Sequence, residues 1–246
     1  MSFVWDERGV LRFEPWARLP WLRHGFSSRS TGDFRERSHE ESLELLGDDD
    51  LDLATVRQTH SATVWRVEQS LEARPERLEG DALIGGQRGI LMGVRTADCG
   101  PILIVDHRRR AAAAVHAGWR GSAARIAECA VGAMARELGS APEDLEAVLG
   151  PCIGSARYEV GEEVAERFEA ESIRRPAGAP RPFLDLTEAN QRQLLRAGLA
   201  PERVHVADFC TYDDERFHSH RRDGATAGRM LAVVGVTSGG ADGSLE

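Results

Sequence analysis

Apolar residues in this chain come in short unbroken runs rather than in long periodic stripes. Runs at 10–13, 55–58, 63–67, 81–85, 89–95, 101–106, 111–117, 146–150, 203–207 and 230–236 have the length of strands. Several, such as PILIVD (101–106) and AAAAV (111–115), lack the alternation of a half-exposed strand, which predicts strands covered on both faces. Helical spacing is found at 121–138, 160–170 and 187–198. In the first of these, Ile126, Ala130, Ala133, Met134 and Glu137 fall at helical spacing, so an apolar stripe is expected to lie on a sheet. Gly139 and Gly198 follow as helix stops. Ser140 and Glu143 have the spacing of a capping box for one turn before the strand at 146. Strands before and after helices in mixed order predict α/β architecture, a single-domain mixed α/β sandwich. No Gly-x-Gly-x-x-Gly follows a strand, which argues against a dinucleotide site.

Three segments read as loops: the turn-rich 27–40, the charged 70–80 and the proline-containing 171–182. None demands a boundary, so residues 1–246 are taken as one domain, with 237–246 as a flexible tail. At 41% hydrophobic and 29% charged residues the composition is that of a globular protein. The net charge of −9 predicts no general affinity for nucleic acid or an anionic membrane. A local arginine cluster would still suit a small anion. The N-terminal MSFVWDERGVLRFEPW lacks the apolar core of a secretory signal. The best membrane-span candidate, 89–105, is interrupted by Arg95 and Asp98. The cysteines (Cys99, Cys129, Cys152, Cys210) form no Cys-x-x-Cys pair, so a cytoplasmic location with reduced thiols is expected.

Against this frame GVRTADCGPILIVD (93–106) is odd, because it places a carboxylate and a thiol side by side at a turn between two apolar strands. VRQTHSATV (56–64) and AAAAVHAGWRG (111–121) repeat the oddity with His60 and His116. Two imidazoles and a thiolate are the donor set of a catalytic zinc with one coordination position open. The metal would hold the thiol deprotonated. Their gaps match no short-range zinc signature, and the same residues also suit strand-capping histidines and a small buried cysteine. Residue chemistry alone favours the second reading, since buried structural histidines and cysteines are common. Asp98 is equally suited to accepting backbone N–H groups in its turn and to moving protons. Gln58, two residues before His60, shares its face of the expected strand and could orient a ligand or the metal's surroundings.

RQTH, GDALIG, TADCGPILIVD, AAVHAGWRG, VLGPCIG followed by RYEVG, and FHSHRRDG followed by TAGRM occur in this order. Together they resemble the YfiH/YlmD family, also called the laccase-domain or polyphenol oxidoreductase family, of the purine nucleoside phosphorylase type. The resemblance runs from about 25 to 236. It implies a sandwich like that of cysteine hydrolases, and zinc bound by His60, Cys99 and His116, with copper as the less favoured metal. It implies phosphorolysis of adenosine, inosine and methylthioadenosine, and deamination of adenosine. Nucleoside and phosphate are then the partners, and the chain is expected as a monomer or small homo-oligomer. One departure stands out: GFSSRSTGDF keeps Ser27, Ser28 and Arg29 of the family's N-terminal segment, but the SLNLG stretch that usually follows is missing.

Phosphorolysis needs a positive field on phosphate, which arginine's planar fork provides. Arg29, Arg120 and Arg221 lie in motif segments and are the candidates in that order. For Arg221 and Arg222 a structural salt bridge with Asp223 is the preferred reading. The free N–H groups of the helix starting near Gly118 and Gly121 also favour an anion. Trp119 reads as packing, and Cys152 as a bystander. Three rival functions remain: a metal-free cysteine hydrolase or amidase with Cys99 as nucleophile and His116 as base, a copper polyphenol oxidase drawing on His218 and His220, and a non-enzymatic binding scaffold.

Overall fold

The structure is a computed structural model and describes residues 2–48, 50–68 and 78–237. The loop expected at 70–80 and the tail at 237–246 therefore lie almost entirely outside the described residues. The apolar runs assemble into two six-stranded mixed sheets. The first is ordered Phe3–Trp5, Leu11–Phe13, Leu22–Phe26, Met230–Val236, Ile90–Thr96, Asp52–Ala54. Met230–Val236 is antiparallel to both of its neighbours, and Asp52–Ala54 is parallel to Ile90–Thr96. The second is ordered Val204–Val206, Leu145–Leu149, Gly100–Asp106, Ala111–Ala117, Ala82–Gly85, Val64–Arg66. Its spine is the hairpin that sets Gly100 opposite Ala117 and Asp106 opposite Ala111.

Alternate residues of each run enter different cores, which is why the runs are apolar throughout. Leu103, Val105, Ala112 and Ala114 lie between the sheets with Val94, Ala232 and Val234. Ile102, Ile104, Ala113 and Val115 instead join Ile126, Ala130 and Leu194 from the helices Ile126–Ala133 and Leu186–Arg196. Beyond the first sheet, Leu91, Leu231 and Val233 pack with Leu43 and Leu46 of the helix His39–Leu46. The layering is helix, sheet, sheet, helix. Fully burying one of these aliphatic side chains contributes about 1.5–3 kcal/mol.

Ile126, Ala130, Ala133 and Met134 of the stripe expected on the first helix are buried, but Glu137 at its end is exposed, and the helix is not continuous. It starts at Trp119 and stops at Ala123, and Arg125 turns left-handed at φ 63° before Ile126–Ala133 and a π-helical turn, Met134–Leu138. Gly139 and Gly198 have φ of 68° and 102°, the left-handed stops that glycine permits. The capping box at Ser140 does not form. The 3-10 turn Pro142–Asp144 starts from Ala141 without a side-chain cap, its proline already holding the first turn. Residues 55–58 make no strand beyond an isolated bridge from Arg57 to Glu79, and the helix expected at 160–170 is reduced to Glu162–Ala165. Among the described residues no helix is long and apolar enough to cross a membrane.

One connection positions the chemistry. Ile90–Thr96 belongs to the first sheet and Gly100–Asp106 to the second, so Ala97-Asp98-Cys99 is the crossing between the sheets. That crossing is tight enough to hold Asp98 at φ 83°.

Candidate metal centre

Three backbone devices bring the three donors together. Cys99 sits on the corner between the sheets, His116 ends the strand Ala111–Ala117, and His60 is in a turn with φ 59°. Their ligand-type atoms lie within 4.8 Å of one another, a group that could hold a metal ion. The His60 Nε2 is 3.9 Å from the Cys99 Sγ. The two imidazoles meet edge to face, centroids 4.9 Å apart. His116 is buried and His60 exposed, so the cluster is closed on one side and open on the other.

Asp81 organises the group. Its fully buried carboxylate accepts the His116 Nδ1 at 2.7 Å and the His60 N–H at 3.0 Å on Oδ1. On Oδ2 it accepts the N–H groups of Thr59 (3.2 Å) and Ser61 (2.6 Å) and the Ser61 hydroxyl (2.8 Å). Burial pushes this carboxyl up, but the bonds from His116 and Ser61 outweigh that and hold it at about 2, well into the ionised range. The same carboxylate thus orients the His116 ring through Nδ1, leaving Nε2 for the cluster, and pins the backbone of His60. Burial raises the Cys99 thiol, and the neighbouring imidazoles of His116 and His60 overcome this and bring it down to about 6. His116 moves the opposite way: burial lowers it, and the Cys99 thiolate and Asp81 raise it to about 9.

Gly118 has to be small here. A Cβ at this position would lie 2.8 Å from the His60 Cδ2 and 3.0 Å from the Cys99 Sγ. The Gly-Trp-Arg-Gly turn therefore passes directly over the donor set.

The remaining sequence candidates are placed as follows. Asp98 is buried, its Oδ1 accepting the Thr211 hydroxyl at 2.6 Å and its Oδ2 the Arg221 N–H at 2.6 Å. Gln58 clamps the backbone of Arg95, donating to its carbonyl at 2.8 Å and accepting its N–H at 2.7 Å. Arg29 is bound to Asp223 at 2.8 Å and to the Phe217 carbonyl, and Arg120 lies 4.3 Å over the Trp119 ring. Arg222 pairs with Asp223, as read from the sequence, whereas the Arg221 guanidinium donates to the Glu159 carbonyl at 3.0 Å and lies over the Tyr158 ring. Cys152 is buried beside the Thr187 hydroxyl at 3.1 Å and is pushed up to about 12 by that burial.

A cavity of about 480 Å³ opens onto His60, Cys99 and His116 and is also lined by Gln58, Arg35, Arg57, Arg95, Arg229 and His220. Arg29 and Arg120 are not among its lining residues. Sequence reasoning missed Asp81 and the arginines. The GDALIG segment did carry a signal for Asp81, a carboxylate at the head of a buried apolar strand. The arginines come from four separated segments and left none.

A His-Cys-His group on the corner of a two-sheet α/β sandwich defines the class. A family model described as multi-copper polyphenol oxidoreductase laccase matches residues 27–237. The chain belongs to this family. It is 40% identical over 173 residues to a purine nucleoside phosphorylase of Bacteroides thetaiotaomicron, a match covering 67% of this chain and 64% of that protein. It is 37% identical over 203 residues to adenosine deaminase RL5 of an unknown prokaryotic organism, covering 77% of each. The crystal structure of the Bacillus licheniformis hypothetical protein YfiH superposes with a TM-score of 0.84 at 26% identity, covering 96% of this chain and 99% of that one. The chain is thus an enzyme of the YfiH type.

Proposed function

We propose that this enzyme is zinc-dependent and acts on purine nucleosides, phosphorolysing adenosine, inosine and methylthioadenosine and deaminating adenosine. The observation that carries the proposal is the convergence of His60, Cys99 and His116 on one point, in a chain similar to proteins named for these two activities. The donor set fits a borderline-soft divalent ion. Asp81 fixes the His116 ring through Nδ1, the usual support of a metal-ligating imidazole, and Gly118 keeps the space over the donors clear. His60, Cys99 and His116 would hold the ion, and when bound it would supply a Lewis acid on the open side of the cluster.

In phosphorolysis an oxygen of hydrogen phosphate bonds to C1′ as the C1′–N9 bond breaks. The bonding pair leaves with the purine, and the phosphate's proton ends on the released base. In deamination water adds at C6 and ammonia leaves, giving inosine. Asp98, with both oxygens engaged, serves to fix the corner that carries Cys99. Gln58 holds Arg95 against the His60 segment.

A second reading is favoured by one observation: Cys99, His116 and Asp81 stand in the order of nucleophile, base and orienting carboxylate. That arrangement would suit a metal-free cysteine hydrolase, but has no use for His60. Metal analysis of the purified protein separates the two, together with adenosine, inosine and methylthioadenosine assayed with and without phosphate. About one zinc per chain, lost with nucleoside turnover in His60→Ala, supports the first reading. An active metal-free enzyme indifferent to His60→Ala supports the second. Copper in place of zinc, with phenol oxidation, overturns both.

A further inference from the structure

The cavity beside the donor cluster is walled by Arg35, Arg57, Arg95 and Arg229, and among the described residues no carboxylate lines it. In a chain of net charge −9 this is a strongly local positive field. The walls are built, not incidental. The Ala227 carbonyl accepts from both Arg35 and Arg229, so one oxygen pins two guanidinium groups side by side. Arg229 is held further by the Gly228 carbonyl at 3.0 Å and Arg35 by that of Thr226 at 2.9 Å. Arg95 donates its Nε to the Phe34 carbonyl at 2.7 Å, and Phe34 in turn donates its N–H to the Arg229 carbonyl at 2.9 Å. The nearby carboxylate, Asp33, takes the backbone N–H groups of Arg35 and Arg229 and lies 3.6 Å from the Arg35 guanidinium, compensating only part of the charge. Arg57 is paired with Glu79 and is exposed, which places it at the rim.

Two like charges fixed on one carbonyl repel each other, and an oxyanion between them would relieve that repulsion with charge-assisted, bidentate bonds. We infer that this cavity is an oxyanion subsite, with Arg229 and Arg35 as its main contacts and Arg95 as its third wall. The occupant is inorganic phosphate, set beside a nucleoside at the donor cluster. The oxyanion chemistry follows from the arginines; the choice of free phosphate rests on the nucleoside reading above. The subsite replaces the sequence-derived candidates Arg29 and Arg120, whose guanidinium groups are bound to Asp223 and stacked on Trp119.

Calorimetric titration of the metal-containing protein with inorganic phosphate tests the inference. Arg229→Gln and Arg35→Gln should each raise the phosphate Kd by roughly tenfold or more, the usual effect of losing a hydrogen bond to a charged group. Arg108→Gln, an exposed side chain on the turn at 107–110, should leave it unchanged and so measures the general effect of one lost charge. If Arg229→Gln fails to fold, Arg229→Lys keeps the charge without the fork and should weaken binding to an intermediate degree. An unchanged Kd in the Arg229 and Arg35 variants, or no saturable phosphate binding by wild type, overturns the inference. So does adenosine 5′-monophosphate binding more tightly than adenosine with that gain lost in Arg229→Gln, since the subsite would then hold a nucleotide's own phosphate. If phosphate binding is lost in the variants but wild type turns over no nucleoside, the subsite stands and the substrate reading falls. Phosphorolysis with a wild-type KM for phosphate in both variants does the reverse.

Discussion

Replacing Asp81 with asparagine changes the shape of one buried side chain very little and its bonding a great deal. The carboxylate accepts five donors, two on Oδ1 and three on Oδ2. An amide has only one acceptor oxygen, so whichever way it turns, at least two donors face an NH₂ group. With nitrogen in place of Oδ1 they are the His60 N–H and the His116 ring; with nitrogen in place of Oδ2 they are the Thr59 and Ser61 groups. Each lost charge-assisted bond costs about 1.5–3 kcal/mol, so two lost bonds cost roughly 3–6 kcal/mol in stability. At about 2–4 °C per kcal/mol for a chain of this size, the melting temperature should fall by roughly 6–24 °C. The metal should suffer separately. In the first orientation His116 must reverse its tautomer, placing its proton on Nε2 and losing the lone pair aimed at the cluster. Loss of such an orienting partner weakens metal binding about 10–100-fold. Thermal unfolding and zinc competition with a chromophoric chelator measure the two effects. A variant that melts and binds zinc like wild type would refute the role given to Asp81.

Gly118→Ala should act on the donors and not on the cores. Its Cβ would meet the His60 ring and the Cys99 sulfur at 2.8 and 3.0 Å, so the same chelator competition should show weakened zinc binding while circular dichroism reports a retained fold. Acid should unfold the protein partly through His24, whose buried ring accepts the Phe13 N–H at 2.9 Å. Burial, with the Arg12 charge second, pulls this histidine down from 6.5 to about 3. The unfolded chain therefore binds the extra proton first. The stabilisation is complete above pH 6.5 and is lost as pH falls toward 3, by up to roughly 5 kcal/mol. Denaturant titrations between pH 7 and 4 should show this slope in wild type and a shallower one in His24→Phe; equal slopes would exclude His24. Below the ordinary glutamate range Glu146 adds a loss of the same sign. Burial opposes its ionisation, but bonds from His107, His205 and Trp16 hold it strongly ionised when folded.

The sheets were legible where both faces of a strand are covered, because then the whole run is apolar; Gly100–Asp106, Ala111–Ala117 and Met230–Val236 are buried from end to end. Phe3–Trp5 and Asp52–Ala54 are three-residue strands at sheet edges, too short for a period to show. The helix His39–Leu46 lay hidden behind the polar stretch 27–40, although Ser38 and Glu41 form a capping box at its start. At the site, Cys99 and His116 stood out at the ends of apolar runs, but His60 lies in the polar stretch RQTHS, and the family resemblance was needed to single out the three together. Asp81 was harder to see, since its task is to satisfy a turn twenty residues away in the chain. The arginine wall could not be read at all. Residues 35, 57, 95 and 229 become neighbours only when the first sheet closes beside the corner at Cys99.

X-ray absorption at the metal edge of the purified protein tests most directly whether His60, Cys99 and His116 share one ion. The account predicts zinc at about one per chain, with one sulfur near 2.3 Å and nitrogen donors near 2.0–2.1 Å, and a sulfur shell that disappears in Cys99→Ala. A metal shell without sulfur, or one that survives Cys99→Ala unchanged, would contradict it.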